Sequence, residues 1–297
     1  MTMADSPGGT RAWGLLTLVV ALALGWAIVV FGQVVAGAML SRVLGAARVA
    51  AKPALADTLF SAIVYGPLLI VGLIGGAVDR RNAAALGRRP AFGLLVGMAT
   101  GAAGLTIAVG LARIAGVLTD GAAVVALPLT LMWGAAVAAL QVAAEEIYFR
   151  GWLQPALMKR WGWWPGLIAA TLAFAALHVA GGARGSVSLL NLFGGGLMFG
   201  LFAARGGGIA AALGAHWAWN AAEQLVWGLD PNPGVGSFGA IWNKELATRA
   251  VWGAANDGLN DSIAMTLALL AILLPLKAAS RRRAAAEPVL SPSGLPG

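Results

Sequence analysis

The sequence predicts an all-α fold, a polytopic bundle of transmembrane helices with about eight spans. Three observations carry this. Of 297 residues, 59% are hydrophobic and only 11% are charged. The mean hydropathy is +0.81, more apolar surface than a water-soluble domain of this size can bury. The charges are also spaced, separated by uncharged runs that can each cross a hydrocarbon layer about 30 Å thick, which takes about 20 residues of helix.

The runs are taken in chain order. The first, 12–41, follows Arg11 and is far longer than the apolar core of about 7–15 residues in a signal peptide, so it reads as a retained helix. Runs 58–78, 90–112, 121–144, 161–183 and 185–204 supply five more spans. A seventh, about 206–229, is interrupted by His216 and Glu223, and an eighth, about 259–276, is short and carries Asp261 near its start. Residues 1–10 and 284–297 read as polar or Pro/Ser-containing tails. Between them, 11–283 form a single membrane domain whose chemistry-bearing core is about 121–229. The longest connection, about 230–258, holds the turn-rich run Asp230-Pro231-Asn232-Pro233-Gly234, then Trp242 and Trp252, and is expected to lie partly at the interface. Glycines recur at four-residue spacing at Gly72 and Gly76, at Gly93, Gly97 and Gly101, and at Gly196 and Gly200. Such ridges let helix backbones approach closely, and packing within the bundle is expected over a dimer seam.

The net charge of +8 does not point to nucleic acid, because the basic residues sit in short clusters between apolar runs. With eight spans and a cytoplasmic N-terminus, the inner side receives Arg11, Arg80, Arg81, Arg88, Arg89, Lys159, Arg160, Arg205, Lys277, Arg281, Arg282 and Arg283. The outer side receives Arg42, Arg48, Lys52, Arg113, Arg184, Lys244 and Arg249. Twelve against seven favours both termini in the cytoplasm. No cysteine is present, which removes disulfides, thiol nucleophiles and thiolate metal ligands.

The chemistry concentrates in Gln141-Val142-Ala143-Ala144-Glu145-Glu146-Ile147-Tyr148-Phe149-Arg150. Glu145 precedes Lys159 by 14 residues, roughly 20 Å of helix, which places it deep in the membrane. An ionised group at the centre of a spanning helix costs about 2.5–3.5 kcal/mol on insertion scales, so this cluster must be compensated. Glu146 and Arg150 are spaced i,i+4 on one face, where they can pair; Glu145 is turned about 100° away and lacks that partner. A carboxylate buried without a counter-ion is pushed toward its neutral form, which suits a general acid or base near neutral pH. The alternative for the glutamate pair is a polar network that only holds helices together.

Both histidines fall in expected spans. A helical hairpin folded at the Lys159-to-Trp164 turn brings Glu145 and His178 level, each about 16 residues from it. His216 and Asn220 are again i,i+4, with Glu223 a further turn along. A glutamate and a histidine can position and deprotonate water, while a second histidine and an asparagine amide can hydrogen-bond the oxyanion of a tetrahedral intermediate. The same residues can instead offer two imidazoles and a carboxylate to zinc, although His-Glu-x-x-His is absent.

With these motifs in hand, the sequence resembles the CAAX protease and bacteriocin-processing (CPBP) family of intramembrane endopeptidases, also described as CAAX prenyl protease or abortive-infection type. Glu145-Glu146-x-x-x-Arg150, continuing into Gly151-Trp152-Leu153, matches the family's EExxxR; Phe174-x-x-x-His178 matches FxxxH; His216-x-x-x-Asn220 matches HxxxN. The resemblance covers about 141–224 and leaves the N-terminal 120 residues, the substrate and the oligomeric state open. It implies that Glu145 and His178 activate water, that His216 and Asn220 stabilise the oxyanion, and that Glu146 with Arg150 shapes the site. It also implies a peptide or protein substrate, lipid-modified in the CAAX case, in a multi-pass protein of a bacterial cytoplasmic membrane. The family is described both as glutamic endopeptidase and as metalloprotease; no cofactor is firmly indicated, zinc is the alternative, and the missing extra ligand favours metal-free chemistry. The competing readings are a non-catalytic membrane immunity or scaffold protein and a proton-coupled transporter. The spans show no paired broken helices or internal repeat to favour the transporter.

Overall fold

The structure, a computed structural model, describes residues 7–123, 127–229, 236–246, 251–252 and 257–286, with side chains between 11 and 276. The Asp230-to-Gly234 run, Arg249 and the outer parts of both tails lie outside the described residues. The elements in order are α1 (Pro7–Met39), α2 (Ala46–Ala51), α3 (Pro53–Val78), α4 (Pro90–Ile114), β1 (Leu118–Asp120), α5 (Pro128–Glu146), α6 (Gln154–Trp161), α7 (Trp163–Gly181), α8 (Ser186–Gly206), α9 (Ala210–Ala221), β2 (Lys244–Leu246) and α10 (Ile263–Ala286). Proline opens α3, α4 and α5, where its missing N–H costs no helical bond. Gly162 and Gly207, both at positive φ, allow the tight α6–α7 and α8–α9 reversals.

Among the described residues, six helical segments are long and apolar enough to cross a membrane: Arg11–Leu44, Pro53–Val78, Pro90–Ile114, Pro128–Trp161, Trp163–Gly181 and Ser186–Gly206. The two remaining expected spans correspond to shorter helical segments, α9 with its extension to Trp227 and the apolar part of α10, Ile263–Leu276. The passes alternate between two faces. On one, which we call the basic face, the Trp161 indole donates to the Arg11 carbonyl, Arg160 pairs with Asp79 at 2.6 Å, and Arg205 donates to the Leu276 carbonyl. On the opposite face β1 pairs antiparallel with β2, Lys244 pairs with Asp120, and Asp257 accepts the backbone N–H groups of Arg184 and Gly185 ahead of α8. Burial pushes the Asp257 carboxyl up, but these donors, the Ser188 hydroxyl and the Arg184 charge outweigh it, leaving Asp257 below the usual carboxylate range.

The α5–α6 pass runs unbroken from Pro128 to Trp161 because the chain passes through a wider, π-helical stretch, Ile147–Leu153. Pro155 explains this: it has no N–H to return to the Gly151 carbonyl, so the preceding turn relaxes its bonding pattern instead of breaking. That relaxed turn carries Arg150.

The glycine ridges face inward. A Cβ on Gly97 or Gly101 would collide with the Ala211 or Ala215 carbonyl oxygen, which shows how closely α4 lies along α9. Gly72 meets the Tyr148 backbone, where a Cβ would stand 2.9 Å away, and Gly196 meets Phe174 at the same distance. These contacts are all within the chain, as the spacing predicts. Gly101→Leu is therefore expected to push Ala215, the neighbour of His216, off its position, at a cost of about 1–3 kcal/mol. A thermal melt in detergent should show the loss as a transition lowered by several degrees.

Two buried clusters flank the centre. One gathers Tyr148, Phe149, Trp152, Leu153 and Phe174 from α5 to α7 and the stretch between them. The other gathers Leu105, Met198, Phe199, Trp219 and Met265 from α4, α8, α9 and α10. Large apolar side chains such as Phe31, Val78, Phe92, Ile114 and Leu129 are exposed around the outside, as lipid contact requires.

Candidate active site

The site lies where the two clusters meet. Glu145, the penultimate residue of α5, and Glu146 diverge as adjacent helical positions must. Glu146 is fully buried, and Arg150 Nη1 donates to its Oε1 at 2.9 Å from one turn further on. The guanidinium is held on every side: its Nη2 donates to the Gly196 carbonyl at 3.1 Å, and its Cζ stands 4.2 Å from the Phe174 ring centre and 5.4 Å from that of Phe199.

Glu146 Oε1 also accepts from His216 Nδ1 at 2.8 Å. This link from α5 to α9 is absent from the sequence reading, in which Glu146 pairs only with Arg150. A carboxylate oxygen can only accept here, so Nδ1 carries the proton and the ring presents Nε2 on its other side. Nε2 stands 3.8 Å from Glu145 Oε2, beyond direct hydrogen-bond range. Phe199 stacks on the imidazole, with ring centres 4.5 Å apart and planes 14° apart, and fixes its tilt. Glu145 Oε2 is buried without a hydrogen-bond partner among the described residues.

His178 sits one turn before the end of α7, where its Nδ1 donates to the Phe174 carbonyl at 2.9 Å and its ring stands 4.5 Å from the Phe174 ring. The Phe-x-x-x-His spacing thus acts as a local clamp: the aromatic residue supplies both the carbonyl that selects the tautomer and a wall for the ring. Nε2 is left as the ring's acceptor.

Glu145, His178, His216 and Asn220 line one cavity of about 220 Å³, closed below by Phe174 and Phe199. The α6–α7 hairpin brings Glu145 and His178 together as expected, and α9 adds His216, Asn220 and Glu223. Glu146 and Arg150 do not reach the cavity; they lie beneath it. Sequence reasoning missed four further polar lining residues, Tyr65 of α3, Asn191 of α8, Gln224 beyond α9 and Asn260 before α10. Tyr65 and Asn191 stand among apolar residues and Gln224 and Asn260 fall outside the three motifs, so only the chain's path reveals them. Gln141, at the head of the acidic run, lines the cavity and donates to Ser61 Oγ at 2.9 Å, tying α5 to α3.

A catalytic zinc needs about three protein ligands near 2 Å. Among the described residues, no three His, Cys, Asp or Glu side chains are grouped to hold a metal ion. His216 has one ring nitrogen already engaged by Glu146, and its other is 3.8 Å from Glu145. The residues as arranged do not fit such a centre.

Residues 127–222 match the protein family described as type II CAAX prenyl endopeptidase Rce1-like. No curated protein and no solved structure matches the chain. The matched segment runs from the start of α5 through α9 and contains Glu145, Glu146, Arg150, His178, His216 and Asn220. The resemblance read from the three motifs holds at the level of the family, which is a family of peptidases.

Proposed function

We propose that this integral membrane protein, whose core is of the CAAX prenyl endopeptidase family, is an intramembrane endopeptidase in which a glutamate and a histidine activate water without a metal ion. The observation that carries the reading is Glu145: a carboxylate oxygen buried without a hydrogen-bond partner among the described residues, facing a cavity shared with both histidines.

In the proposed reaction a water oxygen attacks the scissile carbonyl carbon while Glu145, assisted by His178 Nε2, takes the water's proton. The carbonyl π electrons move to oxygen, and the His216 ring and the Asn220 amide donate hydrogen bonds to that oxyanion. To donate from Nε2 while Nδ1–H remains on Glu146, the His216 ring must carry a proton on both nitrogens in this step. Collapse of the intermediate breaks the C–N bond, the proton held by the Glu145–His178 pair passes to the leaving nitrogen, and an acid and an amine leave. Glu146 and Arg150 act through His216 and are positioning residues.

The test is incubation of the purified protein, in detergent and in liposomes, with a mixture of defined peptides, with and without lipid modification, and identification of products by mass spectrometry. Cleavage at an internal bond is expected, at a rate unchanged by chelators of transition metals. Activity lost to a chelator and restored by zinc would overturn the metal-free mechanism, and the absence of any product would overturn the peptidase reading.

A further inference from the structure

The cavity and the charge distribution together say from which side a substrate arrives. Lining residues that lie near a helix end are all near ends at the face opposite the basic one. His178 is three residues from the end of α7, Asn191 is the sixth residue of α8, and Gln224 is three residues from Trp227. Asn260 lies in the single turn Gly258–Asp261 that precedes α10, and Met265 is the third residue of α10. Toward the basic face the cavity is shut. Arg150 bonds Gly196 and Gln154 Nε2 bonds the Gly200 carbonyl at 2.9 Å, cross-linking this pass to α8. A separate cavity of about 390 Å³ lies beyond that plug, lined by Arg81, Lys159, Arg150 and Gly208, and shares no lining residue with the first.

The basic face holds the connections bearing Arg80, Arg81, Arg88, Arg89, Lys159 and Arg160, and the charged end of α10. The opposite face carries fewer basic residues, of which Lys244 is paired with Asp120. An excess of Lys and Arg in short connections marks the cytoplasmic side of a membrane protein.

We propose that the catalytic cavity opens away from the cytoplasm, so that the substrate is a polypeptide segment presented at the non-cytoplasmic surface, and not a tail displayed in the cytoplasm. The inference rests on the peptidase reading for the word substrate, but the side of opening stands on the cavity's geometry and the distribution of basic residues. The lining chemistry agrees with an extended peptide. The carboxamides of Asn220, Gln224 and Asn260 offer paired donors and acceptors to a backbone, whereas that of Asn191 is taken up by the Asn260 and Ser262 carbonyls and the Thr266 hydroxyl.

Because the chain has no cysteine, the test needs no background removal. Single variants Gln224→Cys and Asn260→Cys mark the cavity mouth, and Arg81→Cys and Lys159→Cys mark the basic face. Each is expressed in bacterial cells and exposed to a membrane-impermeant maleimide, in intact spheroplasts and in inverted membrane vesicles. The mouth positions should label in spheroplasts and not in inverted vesicles, and the basic-face positions should show the reverse. Labelling of the mouth only in inverted vesicles, or of both sets from the same side, overturns the proposal. Labelling does not require turnover, so a protein that labels as expected and cleaves nothing would refute the peptidase reading and leave the orientation standing.

Discussion

Glu145→Gln should abolish cleavage and make the protein more stable. The amide keeps the shape of the side chain and cannot take a proton, so a step that relies on Glu145 as general base is expected to slow by about 10²–10⁴-fold in kcat. The stability effect has the opposite sign. The carboxylate's Oε2 is buried without a hydrogen-bond partner among the described residues, and the Glu146–Arg150 charges are already matched to each other. Replacing a buried carboxylate that lacks a hydrogen-bond partner by a neutral group of the same shape removes a desolvation cost of about 1–3 kcal/mol. Single-turnover cleavage and a thermal melt, run on the same preparations, read both effects. Loss of activity with an unchanged or raised transition is the signature of a group kept for chemistry at the expense of stability. Retained cleavage would sink the assignment. If instead a cellular phenotype depends on the protein and survives Glu145→Gln, the chain acts as an immunity or scaffold factor that keeps the site only for packing.

Much of this was legible in the chain. Spacing of charges gave the membrane, and the position of Lys159, Arg160 and the tryptophans after them gave the α6–α7 hairpin that aligns Glu145 with His178. The i,i+4 rule paired Glu146 with Arg150 and put His216 and Asn220 on one face, and glycine spacing foretold close packing along α4 without saying that α9 is its partner. The misses have a common cause. The Glu146–His216 bond joins residues 70 apart in sequence on different helices, and periodicity reports faces, not which faces meet. The same holds for Phe199, which reads as one more apolar residue of α8 until it stacks on the imidazole. The seventh pass is a little shorter than the run 206–229 because it is flanked by glycine turns at Gly207 and Gly228, which set its length independently of the apolar run around it.

Arg150→Met should cost about 3–5 kcal/mol, the usual penalty for leaving one partner of a buried ion pair uncompensated. Here the abandoned partner is a fully buried glutamate in the centre of the bundle, so unfolding or poor recovery from the membrane is the expected outcome. The double variant Glu146→Gln with Arg150→Met separates structure from catalysis. It removes both charges, preserves an oxygen that can accept from His216 Nδ1, and fills the Phe174–Phe199 slot with an apolar side chain, so much of the lost stability should return. Activity should not return with it. A neutral amide can present either its oxygen or its NH₂ to Nδ1, so it no longer fixes which ring nitrogen of His216 carries the proton. In a serine protease triad the comparable Asp→Asn change lowers kcat about 10⁴-fold through the wrong tautomer, and a loss on the order of 10²–10⁴ is expected here. A stable, folded and fully active double variant would show that Glu146 and Arg150 do no more than hold α5, α8 and α9 together. A stable, folded and inactive one, with substrate affinity unchanged and kcat reduced, would place Glu146 in the catalytic arrangement as the group that orients His216.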